Sequence, residues 1–443
     1  MQLYFTKSVC PVCLRTLTAE ISGDADGVYM DKTCPEHGRF SALIWEGDVE
    51  SYRQWSTQSI RTEAPIEPKP VEKGCPYDCG LCEEHQRKGC CVVLELTNRC
   101  NLRCPVCFAS AGEAPAKEPG LEDIGRQYDM LMAHGGPFNI QLSGGEPTMR
   151  DDLPEIIRMG REKGFTFFQL NTNGLRLARE TGYAEKLKNA GLNTVFLQFD
   201  GVTDDVYLSL RGQALMKEKE AAILNCAAAG LGIVLVPVIA RGINDGQVGE
   251  LLRFGLSHAP AVRGIHFQPI SYFGRCALDR PEKPVTIPKM LALIEEQTGG
   301  IMRAADFSGG GAENPYCSFH ASYRRMADGT LKALPRKDEG SCCCSTGSDD
   351  SREFVANQWS SVELKPAFNA DGEMEETSAL DAFLAKLRLN TFAVSGMVFQ
   401  DAYNLDLERL KRCYICEVDG EFGMVPFCAY NLTNTEGRAL YRK

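Results

Sequence analysis

Cysteine clustering constrains this chain more than any other feature of its sequence. Its 443 residues include 20 cysteines, and most of them fall in tight groups. Two groups of three share the spacing C-x3-C-x2-C, namely Cys75, Cys79 and Cys82, and then Cys100, Cys104 and Cys107. Thiolates this close together can surround one iron–sulfur cube, and a long chain without a signal-peptide core favours metal or redox chemistry over disulfides. Zinc knuckles or ordinary core cysteines are the plainer alternative.

The two triads differ in their surroundings along the chain. The second comes directly after the apolar stretch Val92–Thr97, and the next cysteine after it is Cys226. Three ligands leave one iron of a cube free to bind another molecule, so this triad is the catalytic candidate. The first triad is followed by Cys90, which predicts a closed four-cysteine accessory 4Fe–4S cluster, with Cys91 as the alternative fourth ligand.

A third group of metal-ligand residues lies near the N-terminus and has the spacing C-x2-C-x20-C-x2-H. Its members are Cys10, Cys13, Cys34 and His37. This donor set suits a tetrahedral zinc or a rubredoxin-like iron. A module of about sixty residues needs such a staple to fold, so we expect a structural metal. The alternatives are an electron-transfer role, or a His37 that lies beside the metal without binding it.

A fourth group is spread through the C-terminal part of the chain and consists of Cys317, Cys413, Cys416 and Cys428. It predicts another accessory 4Fe–4S cluster, with a zinc site or cysteines packed in a turn as the alternative. We expect Cys342–Cys344 to be exposed thiols, since three adjacent thiolates rarely bind one metal. Cys226 and Cys276 are predicted core residues.

The sequence alternates between strand and helix patterns after the first triad. Six short apolar stretches are predicted strands: Val92–Thr97, Phe138–Leu142, Thr166–Leu170, Thr194–Phe199, Ile233–Ile239 and Ile265–Pro269. Five amphipathic stretches between them are predicted helices: Leu121–His134, Leu153–Lys163, Tyr183–Ala190, Met216–Ala229 and Gln247–Leu256. Such alternation is typical of a parallel sheet covered by helices. This α/β pattern predicts a partial (β/α)6 barrel with its chemistry at the C-terminal ends of the strands.

The composition divides the chain into four predicted segments. Residues 1–66 form a small metal-bound β module, and residues 67–91 form a Pro-rich linker with the accessory-cluster loop. The barrel follows over residues 92–280. Residues 281–443 are a C-terminal substrate and accessory-cluster domain, with predicted helices at Val285–Glu296 and Ser378–Leu387.

Charge and hydropathy exclude several classes of partner. The 48 Lys and Arg residues against 59 Asp and Glu residues give a net charge of −11. An acidic chain with no basic block lacks the electrostatic footprint of a nucleic-acid binder. Without a long uncharged apolar run or a cationic amphipathic helix, stable membrane insertion is not expected. We expect a cytoplasmic protein.

Several motifs at successive strand ends resemble those of one enzyme superfamily. They are Cys100–Cys107 with Phe108, Ser143–Pro147 (SGGEP), Asn171–Gly174 (NTNG), Gln198–Gly201 (QFDG), Leu210–Gly212 (LRG) and Phe267–Pro269 (FQP). Together they resemble the radical S-adenosylmethionine (SAM) superfamily. The resemblance implies that SAM is bound by Gly144, Gly145, Glu146, Pro147, Asn171, Asn173, Gln198, Asp200, Arg211 and Gln268.

The resemblance also implies the chemistry. In this superfamily SAM binds the open iron, and an electron from the cluster cleaves it to a 5′-deoxyadenosyl radical that abstracts hydrogen from an unactivated carbon. The cofactors carry the hard chemistry, so we assign no side chain to acid–base catalysis. An electron donor such as ferredoxin or flavodoxin is implied as a partner.

Further segments narrow the resemblance. Residues 74–90 (GCPYDCGLCEEHQRKGC), Asn314–Cys317 and Pro426–Asn431 (PFCAYN) are similar to a subgroup that includes tetraether lipid synthase and dihydropterin-modifying methyltransferases. The subgroup implies carbon–carbon bond formation or methylation on a lipid or a pterin-like small molecule. A long apolar tunnel would favour the lipid, and a compact pocket with polar groups would favour the pterin.

Two other functions remain as alternatives at this point. A peptide-maturing radical SAM enzyme also carries C-terminal accessory clusters, but residues 1–66 look like a metal-bound β module and not like a peptide-docking domain. A non-catalytic iron–sulfur electron carrier would leave the Ser143–Pro147 and Asn171–Gly174 motifs unexplained.

Overall fold

The computed structural model describes residues 1–55, 62–112, 118–310, 313–335, 348–361, 384, 386–421 and 423–442. Within these ranges the chain forms three β-sheets, and helices pack against the largest of them. Cys342–Cys344 and most of the predicted Ser378–Leu387 helix lie outside the described residues.

The N-terminal residues form a small β module of their own. Its strands are β1 (Gln2–Val9), β2 (Thr16–Gly23), β3 (Val28–Cys34) and β4 (Gly38–Trp45), which pair in sequence order as an antiparallel sheet, and α1 (Val49–Trp55) follows them. Buried positions alternate along β2 and β3, as expected for strands with one face on a core. The predicted N-terminal β module is present.

The remaining strands build one large sheet and one small ribbon. The large sheet contains β5 (Cys91–Glu95), β7 (Asn139–Ser143), β8 (Phe168–Thr172), β9 (Thr194–Gln198), β10 (Gly232–Val236), β11 (Val238–Ile239), β12 (Val262–Pro269), β14 (Ser318–Arg325), β15 (Leu331–Ala333), β16 (Thr391–Met397), β17 (Ile415–Asp419) and β18 (Gly423–Pro426). The ribbon pairs β6 (Val106–Cys107) with β13 (Arg275–Cys276). The parallel order β12-β10-β9-β8-β7-β5 contains all six predicted strands.

Helices follow these strands as the alternating pattern predicts. They are α2 (Leu121–Ala133), α3 (Leu153–Glu162), α4 (Leu175–Arg179), α5 (Tyr183–Ala190), α6 (Asp204–Arg211), α7 (Met216–Ala228), α8 (Val248–Ser257), α9 (Ile287–Gln297), α10 (Ser348–Trp359), α11 (Leu407–Leu410) and α12 (Phe427–Tyr430). Their buried leucines and isoleucines join those of the strands in one apolar core. No described helix is long and apolar enough to cross a membrane.

The C-terminal segment does not fold as a separate layer. β16 pairs in parallel with β12 at one edge of the six-stranded core, and β17 pairs in parallel with β5 at the other. Without them both edges would expose unpaired backbone groups. The sheet therefore continues across the predicted boundary at residue 280, and residues from both of its ends, such as His320 and Ile415, line a single cavity.

Candidate active site

The sheet encloses a large cavity at the side where its parallel strands end. Its volume is about 670 Å³, and its lining joins the second cysteine triad to the ends of the barrel strands. Of the residues predicted to bind SAM, the lining contains Gly144, Gly145, Glu146, Asn171, Asn173, Gln198, Arg211 and Gln268. The topology thus brings together motifs that lie up to about 170 residues apart in the sequence, as expected for parallel strands.

The thiols of the second triad border this cavity. Cys100 and Cys107 are half-buried and Cys104 is buried, and all three pack beside Leu102 and Tyr207. Burial raises the pKa of Cys100 to about 12, so the free thiol stays protonated. Soft thiol donors on one loop, next to an open space, fit an iron–sulfur cluster that also binds a small molecule.

A buried ion pair holds the triad loop in place. The Arg211 guanidinium donates to both carboxylate oxygens of Asp200 at 2.7 Å and to the Val106 carbonyl at 3.0 Å. Burial opposes the charge, but the Asp200 carboxylate outweighs it and raises the pKa of Arg211 above its usual value. Both side chains were predicted to bind SAM; here they bind each other and anchor the segment between Cys104 and Cys107.

The two glycines of the SGGEP motif allow a close backbone contact. Gly144 has a φ of +122°, and a Cβ added there would lie 2.3 Å from the Thr97 carbonyl oxygen. At Gly145 a Cβ would lie 2.4 Å from the Arg99 carbonyl oxygen. Only glycine fits both positions, so this loop can pack directly on the segment that leads into the triad. Pro147 then begins a short 3₁₀ turn, Pro147–Met149, and is buried.

Glu146 is the centre of a hydrogen-bond network between two motifs. Its carboxylate accepts the Thr148 hydroxyl at 2.6 Å and the Thr172 hydroxyl at 2.7 Å through Oε1, and the Asn173 backbone N–H at 2.8 Å through Oε2. The side chain is buried. Its position predicts a role in fixing the NTNG turn, because its carboxylate accepts hydrogen bonds from both Thr172 and Asn173 of that turn.

Asn173 connects this network to two further elements. Its side-chain amide donates to Asn101 Oδ1 of the triad loop at 2.7 Å, and its carbonyl accepts the Lys219 ammonium at 2.6 Å. Lys219 also donates to Gln198 Oε1 at 3.2 Å. Burial lowers the pKa of Lys219 to about 8. The fully buried Lys219, which the sequence did not single out, thus joins the ends of β8 and β9.

Other polar residues, which none of the sequence motifs marked, face the same cavity. Gln141, Gln169, His266, His320 and Ser395 all line it. The detectable signal is a glutamine between two apolar residues of a strand: Gln141 between Ile140 and Leu142 in NIQLS, and Gln169 between Phe168 and Leu170 in FQLNT. Alternation along a strand places such a residue on the interior face of a barrel.

The first triad surrounds a different, much smaller space. Cys75, Cys79 and Cys82 border it together with His85 and Lys411. Burial, with the neighbouring thiols of Cys82 and Cys413 adding to it, raises the pKa of Cys79 to about 12.

Cys90 does not join this group. It is fully buried in the wall of the large cavity, next to Cys91. Its backbone N–H donates to the Tyr414 carbonyl at 2.8 Å. Residue 413, the next residue back along the chain, therefore lies near this strand edge. The structure therefore places Cys413, and not Cys90, beside the first triad.

The C-terminal cysteines lie near one another. Burial raises the pKa of the Cys428 thiol, and the nearby thiols of Cys413 and Cys317 raise it further. Cys416 is also buried and neighbours Cys413 and Cys79. The Arg409 guanidinium donates to Cys317 Sγ at 3.2 Å. The segment around Cys413 thus connects the first triad to the C-terminal group.

The N-terminal ligand set converges as predicted. The ligand atoms of Cys10, Cys13, Cys34 and His37 all lie within 4.8 Å of one another. His37 Nδ1 is 3.4 Å from Cys34 Sγ and 3.6 Å from Cys10 Sγ, so His37 is placed as a ligand and not beside the site. Three thiols and one imidazole around a point match a tetrahedral single-metal site.

Comparisons with known proteins decide the family. A family model described as the radical SAM superfamily matches residues 94–255. The 7,8-dihydro-6-hydroxymethylpterin dimethyltransferase of Methanocaldococcus jannaschii is 34% identical over 473 aligned positions, which cover 96% of this chain and 93% of that relative. The chain belongs to the radical SAM superfamily. The resemblance inferred from the motifs is confirmed over nearly the whole sequence.

Other relatives of this radical SAM chain match shorter parts of it. A model described as the HMPTM N-terminal zinc ribbon domain matches residues 2–46. Fe-coproporphyrin III synthase from Methanosarcina barkeri is 41% identical over 190 positions, 42% of this chain and 45% of the relative. The crystal structure of Streptococcus suis SuiB bound to precursor peptide SuiA covers 49% of this chain and 47% of its own, with a TM-score of 0.42 and 16% identity.

Membership of the superfamily has direct consequences. This radical SAM chain is an enzyme, and its cofactors are a 4Fe–4S cluster and SAM. The alternative of a non-catalytic electron carrier is therefore excluded.

Proposed function

We propose that this enzyme methylates a carbon atom of a reduced pterin-like molecule. The relative that aligns over 96% of the chain is named a 7,8-dihydro-6-hydroxymethylpterin dimethyltransferase. The observation that carries the proposal is the lining of the cavity, which contains amide, hydroxyl and imidazole groups together with aromatic rings. A volume of about 670 Å³ is typical of sites for compact ligands. A long acyl chain would instead need an extended apolar wall.

The residues of the second triad would hold the catalytic cluster. Cys100, Cys104 and Cys107 would supply its three thiolates, and the Gly144–Gly145 backbone packs on the segment that leads into the triad loop. When bound, the cluster and SAM supply an electron and a carbon radical able to remove hydrogen from an unactivated carbon. The chain contributes orientation: Glu146 and Lys219 fix the turn at Asn173 from opposite sides.

Four phenylalanine side chains line the part of the cavity beside the triad. The Phe427 ring lies 4.4 Å from the ring of Phe399, 5.9 Å from that of Phe108 and 6.3 Å from that of Phe273, measured between centroids. All four line the cavity. These apolar rings would limit the access of water to this part of the cavity, which protects a reactive intermediate from side reactions.

We also propose accessory metal sites. The first triad, with a thiol from the Cys413–Cys416 segment as its fourth ligand, would hold one 4Fe–4S cluster. Cys317 and Cys428 would contribute to a second, and Arg409 would stabilise the Cys317 thiolate. For the N-terminal site we propose zinc, supported by the zinc ribbon match over residues 2–46. A ferredoxin or flavodoxin would deliver the electrons.

The function is tested by anaerobic turnover of reconstituted protein. The assay contains SAM, dithionite and 7,8-dihydro-6-hydroxymethylpterin, and mass spectrometry follows 5′-deoxyadenosine and pterins. We expect 5′-deoxyadenosine together with a pterin heavier by one or two CH2 groups. A Cys104→Ala variant should form neither. The assay is repeated with a cell extract added, so that a methyl donor other than SAM is also supplied. SAM cleavage that leaves every pterin unchanged under both conditions would contradict the proposal.

A further inference from the structure

Three side-chain amides form a hydrogen-bonded chain across the floor of the cavity. The Gln169 amide donates to Asn171 Oδ1 at 2.8 Å, and the Asn171 amide donates to Gln141 Oε1 at 3.1 Å. The Gln141 amide then donates to Cys91 Sγ at 2.8 Å. All four residues line the cavity. We call this the amide row: Gln169, Asn171, Gln141 and Cys91.

Strand pairing gives the amide row its geometry. Gln141 on β7 is the register partner of Gln169 on β8, and Asn171 follows two residues later on the same face. The neighbours in sequence, Leu142 and Leu170, are fully buried on the opposite face and belong to the apolar core. The amides are therefore fixed to the rigid part of the barrel, which is where a precise binding site is best placed.

Side-chain amides in the interior of a barrel are costly compared with apolar side chains. Transferring an amide from water into a protein interior costs about 1–3 kcal/mol unless hydrogen bonds replace those to water. Within the row Gln169 uses one N–H, while Asn171 and Gln141 each use one N–H and one carbonyl lone pair. Each NH2 group carries a second hydrogen, and each carbonyl oxygen has a second lone pair. The row therefore satisfies part of its hydrogen-bonding capacity internally and keeps the rest for a ligand.

The groups of the row are also uncharged, unlike other polar parts of the lining. The Arg211 guanidinium is engaged with Asp200, and the Glu146 carboxylate with Asn173 and two threonines. His266, farther round the same wall, is bonded to Ser395 at 2.9 Å, and burial lowers its pKa to about 4, so it is neutral. This wall offers neutral donors and acceptors, with the Phe196 and Trp359 rings beside them.

We infer that the amide row is the element that recognises the substrate, and that it reads the edge of an uncharged planar heterocycle in which N–H and C=O groups lie side by side. Paired donors and acceptors of a glutamine match such an edge, as they do for nucleobases. Gln141, in the middle of the row, is the specificity-determining residue. This inference rests on the proposed function, because the pyrimidinone edge of a pterin has this pattern.

Binding measurements on reconstituted, SAM-saturated protein test the inference. The probe is 7,8-dihydro-6-hydroxymethylpterin, followed by its fluorescence under anaerobic conditions. Gln141→Met keeps the side-chain length but removes the amide, and Gln141→Glu keeps the shape but removes its N–H groups. Gln54→Met, at an exposed position on α1, is the matched control. Iron content and thermal midpoint verify that each variant is folded.

We expect the Kd for the pterin to rise about tenfold or more in both Gln141 variants. This is the effect of losing a hydrogen bond when its buried partner is left unpaired. Gln141 is bonded to Asn171 of the NTNG motif, but it makes none of the hydrogen bonds that link Glu146, Asn173 and Asn101. The Kd for SAM should therefore stay within about twofold. Wild-type pterin affinity in both folded variants would overturn the inference and leave the proposed function standing. Failure of the wild-type protein to bind the pterin would overturn the proposed function and the inference with it.

Discussion

The Glu146 carboxylate accepts the backbone N–H of Asn173 at 2.8 Å. These two residues belong to different motifs, on loops that follow neighbouring strands, and their contact fixes both loops relative to the triad. A hydrogen bond to a charged acceptor in a buried place is among the stronger ones in proteins. We therefore expect Glu146 to affect cofactor binding through the position of the turn.

Replacing this carboxylate should weaken SAM binding. In Glu146→Gln the carboxylate becomes a neutral amide. One of its two oxygen acceptors is replaced by an NH2 group, which cannot accept the hydrogen bonds that the oxygen accepted. We expect the Kd for SAM to rise about tenfold, equivalent to about 1.4 kcal/mol, with full iron content. Equilibrium binding to the reconstituted protein measures it. An unchanged Kd would show that the turn is held without this contact.

Breaking the Asp200–Arg211 pair should destabilise the triad loop. Arg211→Met leaves the buried Asp200 carboxylate without its main partner, which typically costs about 3–5 kcal/mol. It also frees the Val106 carbonyl. We expect a lower thermal midpoint and loss of iron from the catalytic cluster. Arg126→Met is the control, because the Arg126–Asp123 pair is exposed and such pairs contribute less than about 1 kcal/mol. Equal effects in the two variants would contradict the assignment.

Two cysteine variants separate the candidates for the accessory site. Cys413→Ser should lower the iron content by about four atoms per chain, the content of one 4Fe–4S cluster. Cys90→Ser should leave it unchanged, because Cys90 lines the large cavity away from the first triad. Iron and sulfide assays on anaerobically reconstituted protein distinguish them. The reverse pattern would restore Cys90 as the fourth ligand.

Removal of the N-terminal metal should loosen the β module. With Cys34→Ser, or with a chelator, the strands β1 to β4 lose the metal that joins their loops. Contacts that then still hold the module on the C-terminal segment include the hydrogen bonds of Thr6 to Asp406, of Lys32 to the Ala402 carbonyl and of Asn434 to the Val12 carbonyl. We expect faster proteolysis within residues 1–55 and loss of about one zinc per chain. Wild-type resistance to protease in metal-free protein would exclude a structural role.

His266 predicts a pH dependence of stability. Burial lowers its pKa to about 4, below that of an unfolded chain, near 6.5. Between these values the unfolded state binds more protons, so this residue's contribution falls as the pH drops from about 6.5 towards 4, by at most about 1.4 kcal/mol per pH unit. His266→Gln should flatten the change in thermal midpoint between pH 7 and pH 5. An identical slope in variant and wild type would contradict this.

The motifs were readable from the sequence because they depend on local spacing. The interval between Cys100 and Cys107 allows all three thiols to reach one cluster on any backbone that follows a strand. The six parallel strands were also predictable, because short apolar runs that alternate with amphipathic helices are typical of a parallel sheet covered by helices. Their observed bounds differ from the predicted ones by a few residues at most.

The partners of Glu146 and the place of Cys90 could not be read in this way. The motif marked Glu146 as a residue that matters for the cofactor, but it did not report that its carboxylate also accepts hydrogen bonds from Thr148, Thr172 and Asn173. Cys90 follows the first triad by only eight residues, yet β17 pairs with β5 and brings Cys413, more than 320 residues away, to the triad. Pairings between such distant segments depend on the whole sheet and leave no local trace.

The sequence by itself determined the kind of chemistry and the fold that supports it, because ligand spacing and hydrophobic period are properties of neighbouring residues. Only the tertiary structure decided which cysteines lie near one another, that the C-terminal strands extend the sheet at both edges of its parallel core, and that polar residues from several strands meet in a single cavity. Those outcomes arise from strand register, which is fixed when the chain closes on itself.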